Sequence, residues 1–591
     1  MNDYTHPYRD AEFILSEIVN FDALCSAGGL LDVNSELVSV ILSEAGKLGS
    51  DVLAPLNTVG DTKHPTLGET DVQASPGFAE AYHQFIEGGW SSLTGDEEFG
   101  GQALPNVLNT AVNEIWHSSN MAFSLCPLLS AGAMESVAQH ASNELKQTYL
   151  PKMLSGEWTG TMNLTEPDAG SDLAAVKTKA TPKDEHFLIS GQKIYITWGD
   201  HQMTDNIVHL VMARMPGAPP GVKGISLFLV PKFLIDETGE PIARNDVKCI
   251  SLEHKLGIHG SPTCAMSFGD NGGTVGYLIG EENKGLACMF TMMNHARQGV
   301  GLQGLAVSER SYQQALAYAK DRLQGTNKDG SRISIMKYPD VRRMLMLMKS
   351  STEAMRGLAF VASAEIDRAK YATDEDIAKC HSDRVELLTP IVKGWMTELS
   401  QELTYLGTQV YGGMGYVEET GSAQHYRDAR ILTIYEGTTG IQGMDLVGRK
   451  TLHNSGSHLS TLLEEISVVA EQLESSETFK RQGTALKTAL AHGENALKLL
   501  LDTSEDSAHA GSVSVNFMMM FGYICGGWIM GQSSIKAQAM IDKNEGDVDF
   551  LKGKLITAQF YFEHLLPRVD SHFGTIKAGS KSIMALAEEQ F

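Results

Sequence analysis

The chain reads as an α+β protein of several domains, helical at both ends with a β-rich middle, and three observations carry that expectation. Its 591 residues are more than one hydrophobic core organises. Apolar residues recur at helical spacing before residue 160 and again after residue 283. Between those stretches lie short β-branched or aromatic runs broken by Gly, Pro and Asp.

Within 36–54, Leu37, Val40, Ile41, Ala45, Leu48, Val52 and Leu53 share one helical face. The same period recurs in 106–118 and in the segment after Gly132, so residues 1–160 are predicted to be an N-terminal extension and helical domain. HFLISGQKIYITW, NIVHLVMARM, GISLFLVPKF and GTVGYLIG predict strands of a middle β domain over 161–282. Helical patterns return in the segment ending DRLQ (286–324), in 338–371 and in 377–410, predicting a helix bundle over 283–450. A polar HNSGSH linker then leads to helical stretches at 458–503 and 512–543, an appended helical domain over 451–591.

The formal net charge of −25 argues against nucleic acid as the main partner, because that binding needs a basic field. Seven scattered cysteines without a CxxC pattern fit reduced thiols in a cytoplasmic protein. The N-terminus shows no signal-peptide pattern, and no uninterrupted apolar run reaches about 18 residues, so membrane insertion is not expected. The apolar 512–530 stretch contains Gly522, Gly526 and Gly527 and reads as a packed helix. His254 and His259 lack companion ligands at metal spacing, and the MLMLM run at 344–348 fits core packing.

One carboxylate draws attention as a candidate base. Glu436, in IYEGTTGIQ (434–442), precedes Gly437, where a small residue lets backbone and ligand approach closely. The competing reading is a solvated turn. Four further segments accompany it: MNLTEPDAGSD (162–172), KIYITWGD (193–200), EHKLGIHGSPT (253–263) and QVYGGMGY (409–416). Read singly, each is an ordinary element: an acidic turn rich in turn formers, a strand with Tyr195 and Thr197 on one face, a loop, and a helix C-cap.

In that order and at those separations, the segments resemble the acyl-CoA dehydrogenase family over residues 75–450. The ends resemble a longer branch of that family, with N- and C-terminal extensions, that acts on 3-methylthiopropanoyl-CoA. The resemblance implies the acyl-CoA dehydrogenase fold, an FAD cofactor, and removal of an α-proton and a β-hydride from an acyl-CoA thioester to give a trans-2-enoyl-CoA.

It also implies roles for particular residues. Glu436 is the base, and its backbone N–H is a donor to the thioester oxygen. Tyr435 and Gly437 lie on the substrate side and Thr438 contacts the flavin, while Gly440 departs from the Gln frequent in the family. Met162, Leu164 and Thr165 run beside the isoalloxazine, Tyr195 and Thr197 cover it, and Ser171 meets the pyrophosphate and CoA. Asn294 and Arg297 are CoA-side residues on one helix. Arg322 and Gln324 reach the FAD of an adjoining subunit, and Gln409, Gly412 and Gly413 meet its adenosine end. Such sharing implies at least a homodimer, with electron-transfer flavoprotein as the electron acceptor. The alternatives within the resemblance are a short- to long-chain fatty acyl-CoA dehydrogenase, an acyl-CoA oxidase, a DNA-binding flavoprotein relative and a membrane-bound long-chain enzyme; the absence of a dense Lys/Arg cluster counts against DNA binding.

Overall fold

The computed structural model describes residues 4–236 and 238–591. Two compact units emerge: Gly46–Pro105 with Ser119–Ala296, and the chain up to Ala45 with Asn106–Ser118 and Arg297–Phe591. The N-terminal residues 1–160 are thus divided between the two. Helical periodicity marks an apolar face but not which partner covers it.

In the first unit, eight strands form one sheet. Their spatial order is Val247–Leu252, Thr263–Phe268, His186–Thr197, Thr274–Ile279, Ile225–Pro231, Asn206–Arg214 and Trp158–Asn163, with Lys179–Lys183 paired to His186–Thr197 and Asn206–Arg214. Trp158–Asn163 runs parallel to Asn206–Arg214, and the other neighbours along this order are antiparallel. The period of two divides side chains between two cores. Val208, Leu210, Met212, Leu227 and Leu229 pack with the Met121–His140 helix, while Val211, Ala213, Phe228 and Val230 join Ile189, Val247 and Phe268 on the other face. A sheet buried on both faces accounts for runs such as NIVHLVMA, which show no polar alternation.

In the second unit, long helices Pro339–Tyr371 and Glu375–Tyr411 pack with the Arg297–Asp321 part of the Gly285–Asp321 helix. Helix contact is closest at glycine: a Cβ on Gly301 would lie 2.5 Å from Val392 Cγ1, and one on Gly304 would lie 2.8 Å from the Met396 carbonyl. This close approach sets Arg297, one turn before Gly301, over the stretch that carries Lys393. The Gly285–Asp321 helix stops short of the predicted DRLQ end, and Leu323–Thr326 instead pairs with Arg332–Ser334 as an exposed hairpin. The residues of the MLMLM run that lie in the core, Met344, Leu345, Leu347 and Met348, are buried as expected.

Beyond residue 451 the single predicted stretch 458–503 is two helices, Ser457–Ser475 and Lys480–Asp502. Ser507–Lys543 follows, then Val548–His564 and Arg568–Ala578, which the apolar pattern did not single out. Ser507–Lys543 packs deep in this unit: a Cβ on Gly522 would sit 2.1 Å from the Trp395 ring, and one on Gly526 would sit 2.0 Å from the Tyr561 hydroxyl. This helix and Met121–His140 are long and apolar enough on average to cross a membrane, although neither holds an uninterrupted apolar run of about 18 residues. Yet 83% and 78% of their most apolar stretches are buried inside the protein, as befits core helices.

Candidate active site

The turn carrying Glu436 lies in the second unit, between Arg430–Thr433 and the short helix Thr439–Met444. Its backbone is unusual. Glu436 has φ of 56° and Gly437 has φ of 96°, two left-handed residues in succession. A non-glycine residue there costs on the order of 1 kcal/mol or more and persists only where its surroundings hold it. A Cβ on Gly437 would lie 2.5 Å from the Gln442 amide and 3.7 Å from Arg297 Nη2, so glycine is demanded by space as well as by conformation.

The holders are specific. Lys393 Nζ donates to the Gly437 carbonyl at 2.6 Å. Gln442 Nε2 reaches the carbonyls of Glu436 and Gly437 at 3.4 Å each. Thr439 donates to Glu398, and Tyr435 donates to Gln303 Oε1 at 2.5 Å. Thr438 caps the following helix by accepting from Ile441 N, which commits part of its hydroxyl to the turn.

Burial and two nearby cations set the acidity of Glu436. Burial pushes its pKa up to about 7, while the cations Arg297 and Lys393 act against that rise. A carboxylate with a pKa near the working pH is a competent general base. Burial likewise brings Lys393 down to about 8 and lowers the Arg297 guanidinium from its ordinary value. Arg297 is buried, pairs with Asp445 at 3.4 Å, and keeps its Nε without a hydrogen-bond partner among the described residues. Asn294, three residues earlier on the same helix, is exposed.

In the first unit a second group of expected residues converges. The Ile194 N–H donates to the Thr165 carbonyl at 2.9 Å, laying the 162–165 segment alongside the strand that bears Tyr195 and Thr197. Glu166 is no solvated turn residue: it pairs with fully buried Lys193 at 2.8 Å and accepts from Thr178 Oγ1 at 2.6 Å and Lys177 N at 2.6 Å. Burial alone would raise that carboxyl, but Lys193 and these donors hold it below its usual value. Lys193 also donates to the Leu164 carbonyl at 3.1 Å, fixing the segment's path.

Tyr195 departs from regular alternation. It has φ of 59° and sits where the pairing between His186–Thr197 and Thr263–Phe268 slips at a bulge. Bulges re-aim side chains next to functional sites. Tyr195 is 60% exposed, an uncommon position for a strand aromatic. Met162 and Leu164 are half-buried against the core, and the Thr165 and Thr197 hydroxyls make no side-chain hydrogen bond among the described residues. An apolar wall, a free aromatic face and uncommitted hydroxyls fit a planar ring with polar edges, such as an isoalloxazine. Ser171 lies on an exposed loop of the same unit.

The remaining expected residues lie in the second unit, all exposed. Arg322 and Gln324 sit at the Leu323–Thr326 hairpin, where Arg322 makes no ion pair among the described residues. Gln409, Gly412 and Gly413 follow one another at the end of the Glu375–Tyr411 helix, which does cap at Gly412 with φ of 61°.

Comparison with known proteins follows the same division. Residues 60–157, 161–271 and 283–451 match the N-terminal, middle and C-terminal domains of acyl-CoA dehydrogenase, and 462–587 match a domain described as acetyl-CoA dehydrogenase C-terminal like. The chain belongs to the acyl-CoA dehydrogenase family. This acyl-CoA dehydrogenase is accordingly an FAD-dependent enzyme that oxidises acyl-CoA thioesters. It is 42% identical to 3-methylmercaptopropionyl-CoA dehydrogenase of Ruegeria pomeroyi, over 98% of this chain and 99% of that one. It is 33% identical to the broad-specificity linear acyl-CoA dehydrogenase FadE5 of Mycobacterium tuberculosis, over the whole of both chains. Among solved structures, Caenorhabditis elegans ACDH-11 in complex with C11-CoA shares the fold at a TM-score of 0.79 and 20% identity, covering 99% of this chain and 94% of that one. Acyl-CoA dehydrogenase from Bacillus anthracis complexed with FAD does so at 0.74 and 20%, covering 93% and 89%.

Lys393, Gln442, Glu398 and the Glu166–Lys193 pair escaped the sequence reading. Lys393 left one signal, a lone cation within the apolar stretch LLTPIVKGWM.

Proposed function

We propose that this acyl-CoA dehydrogenase converts 3-methylthiopropanoyl-CoA to methylthioacryloyl-CoA, with Glu436 as the base. The observation that carries the chemistry is Glu436 on its left-handed turn, with a pKa raised to about 7. For the substrate, support comes from the 42% identity over nearly the whole length to a 3-methylmercaptopropionyl-CoA dehydrogenase, against 33% to the enzymes named for butyryl-CoA and linear chains.

In this mechanism Glu436 accepts the α-proton of the thioester, and its own backbone N–H donates to the thioester oxygen as enolate charge develops. Tyr435, tied to Gln303, and Gly437 shape the turn from which the carboxylate reaches. Bound FAD supplies the acceptor for the β-hydrogen, which leaves as hydride. Met162, Leu164 and Thr165 would line the ring, Tyr195 and Thr197 would cover it, and Thr438 would contact it. Ser171 would meet pyrophosphate and CoA, and Asn294 would serve CoA. Arg297, buried beside the base turn and paired with Asp445, would be the CoA-side arginine and adds a positive charge near Glu436. Arg322, Gln324, Gln409, Gly412 and Gly413 would bind the FAD of a second copy, making the enzyme at least a homodimer. Electron-transfer flavoprotein is the proposed acceptor and the cytoplasm the proposed location, with all seven cysteines free.

The substrate assignment is tested by anaerobic flavin reduction with a panel of thioesters. The expected result is reduction by 3-methylthiopropanoyl-CoA with butanoyl- to hexanoyl-CoA close behind, because an apolar pocket separates a sulfur from a methylene by only about 1–3 kcal/mol. A steep preference for chains of about twelve carbons or more, with none for the methylthio thioester, favours the fatty acyl-CoA alternative.

Arg322→Ala is expected to weaken FAD binding by about tenfold or more, the effect of losing one charge-assisted contact. Dimerisation should weaken with it. An unchanged affinity in flavin fluorescence titration would contradict the role given to Arg322.

A further inference from the structure

We propose that Lys393 is a positioning residue of the proton-transfer turn: its buried ammonium holds the Gly437 carbonyl and so fixes the base beside a positive charge. The inference rests on the reading of Glu436 as the base and extends it to a residue outside the motif.

Lys393 has 0% exposure. A buried ammonium is costly unless a carboxylate pairs with it, yet none lies within ion-pair distance of Lys393 among the described residues. Its hydrogen bond goes instead to the Gly437 carbonyl, at 2.6 Å. That carbonyl belongs to the second of two consecutive left-handed residues, and a partly buried backbone oxygen outside any regular element needs a donor. The Gln442 amide, at 3.4 Å, is a weak substitute.

Neighbouring helices leave the lysine no other place. The Gly301–Val392 and Gly304–Met396 contacts lock its own helix on one side. On the other, a Cβ on Gly394 would fall 2.1 Å from Met518 Sδ of the Ser507–Lys543 helix, and one on Gly443 would lie 2.9 Å from the Ser514 backbone. The appended helix thus backs both Lys393 and the segment that follows the base.

The charged and titratable groups around Glu436 can be enumerated. Arg297 comes from the Gly285–Asp321 helix, Lys393 and Glu398 from the Glu375–Tyr411 helix, Tyr435 from the turn itself, and Asp445 and Arg449 from Asp445–Arg449. Asp428 reaches Tyr435 from the Ser422–Ala429 helix. Ser514 and Met518, from the appended helix, carry no charge. Of the two cations acting on Glu436, Arg297 is already paired with Asp445, which leaves Lys393 as the one whose charge no carboxylate contacts.

The test uses K393M and K393Q as FAD-loaded full-length proteins, with stopped-flow flavin reduction by butanoyl-CoA followed against pH. Removing a cation disfavours the carboxylate, so the midpoint of the rising limb should move up, by about one pH unit. K393M should also reduce flavin about tenfold more slowly at saturation while butanoyl-CoA affinity stays within about twofold, and K393Q, which keeps a donor, should recover part of that rate. Should K393M not accumulate as a flavoprotein, K393Q carries the midpoint readout alone. A midpoint that stays at the wild-type pH overturns the proposal. Glu436→Gln separates the two readings: if it still reduces flavin, the base assignment fails; if it is inactive while the Lys393 variants keep the wild-type midpoint, only the role of Lys393 fails.

Discussion

Glu436→Gln is expected to abolish flavin bleaching by acyl-CoA while FAD stays bound. The amide is nearly isosteric with the carboxyl, so Tyr435, Gly437 and the Lys393 contact to the Gly437 carbonyl should persist. What disappears is the group proposed to accept the α-proton, and a positioned base contributes on the order of 10² to 10⁴ in rate. Rapid mixing with butanoyl-CoA under anaerobic conditions measures the loss directly. A variant rate within about tenfold of wild type would mean that another group takes the proton.

Arg356→Met is expected to be the most destabilising single change in the helical unit. Arg356 is 1% exposed and meets Asp10 at 2.5 Å, Glu114 at 2.7 Å and Glu309 at 2.9 Å. Asp10 in turn pairs with Lys554, which also binds Glu353 at 2.7 Å. One guanidinium therefore ties the N-terminal extension, the central bundle and the appended helices into a single buried network. Burial raises the Glu114 carboxyl, and Arg356 opposes that rise. Removing the cation leaves Glu114 and Glu309 out of water without an ion-pair partner, while Asp10 keeps Lys554, a loss of about 3–5 kcal/mol by the usual effect of breaking a buried pair. Thermal and denaturant unfolding should both register it. Arg356→Met with Glu114→Leu should recover part of the loss, since removing both partners removes the uncompensated charge. Unfolding of the single variant at the wild-type temperature would show that the network is already neutral.

Much of the architecture was legible because it follows from periodicity. Helices at 106–118, 338–371 and 377–410 and strands at 186–197 and 206–214 need only a repeating apolar face, and each is present within a few residues. What periodicity could not convey is the partner. The Asn106–Ser119 helix reads like its neighbour Met121–His140, yet its first residues are held by Asp367, through Asn106 N at 2.7 Å and Val107 N at 2.9 Å. The helix carrying DRLQ ends at Asp321 because pairing with Arg332–Ser334 satisfies the next backbone groups, a non-local contact with no helical signature.

The candidate site divides in the same way. Glu436 and Gly437 could be picked out because a carboxylate before glycine is a local pattern. Lys393 could not, since 43 positions separate it from Glu436 and only the close glycine-mediated packing of two helices makes its ammonium part of the turn. Tyr195 illustrates a third case. Its residue type suggested a cover for a ring, but the exposure that makes such a role possible comes from a bulge and a left-handed backbone.

The pH dependence of flavin reduction in the wild-type enzyme tests the central claim most directly. At limiting butanoyl-CoA the second-order rate reports the protonation state of the free enzyme. Glu436 must be ionised to accept a proton, and its pKa is raised to about 7, so activity is low where the carboxyl is protonated and rises as pH increases. The account predicts a rate that rises with pH through a midpoint near pH 7. A rate independent of pH from about 5.5 to 9, or a midpoint near the ordinary carboxyl value of about 4.3, would contradict it.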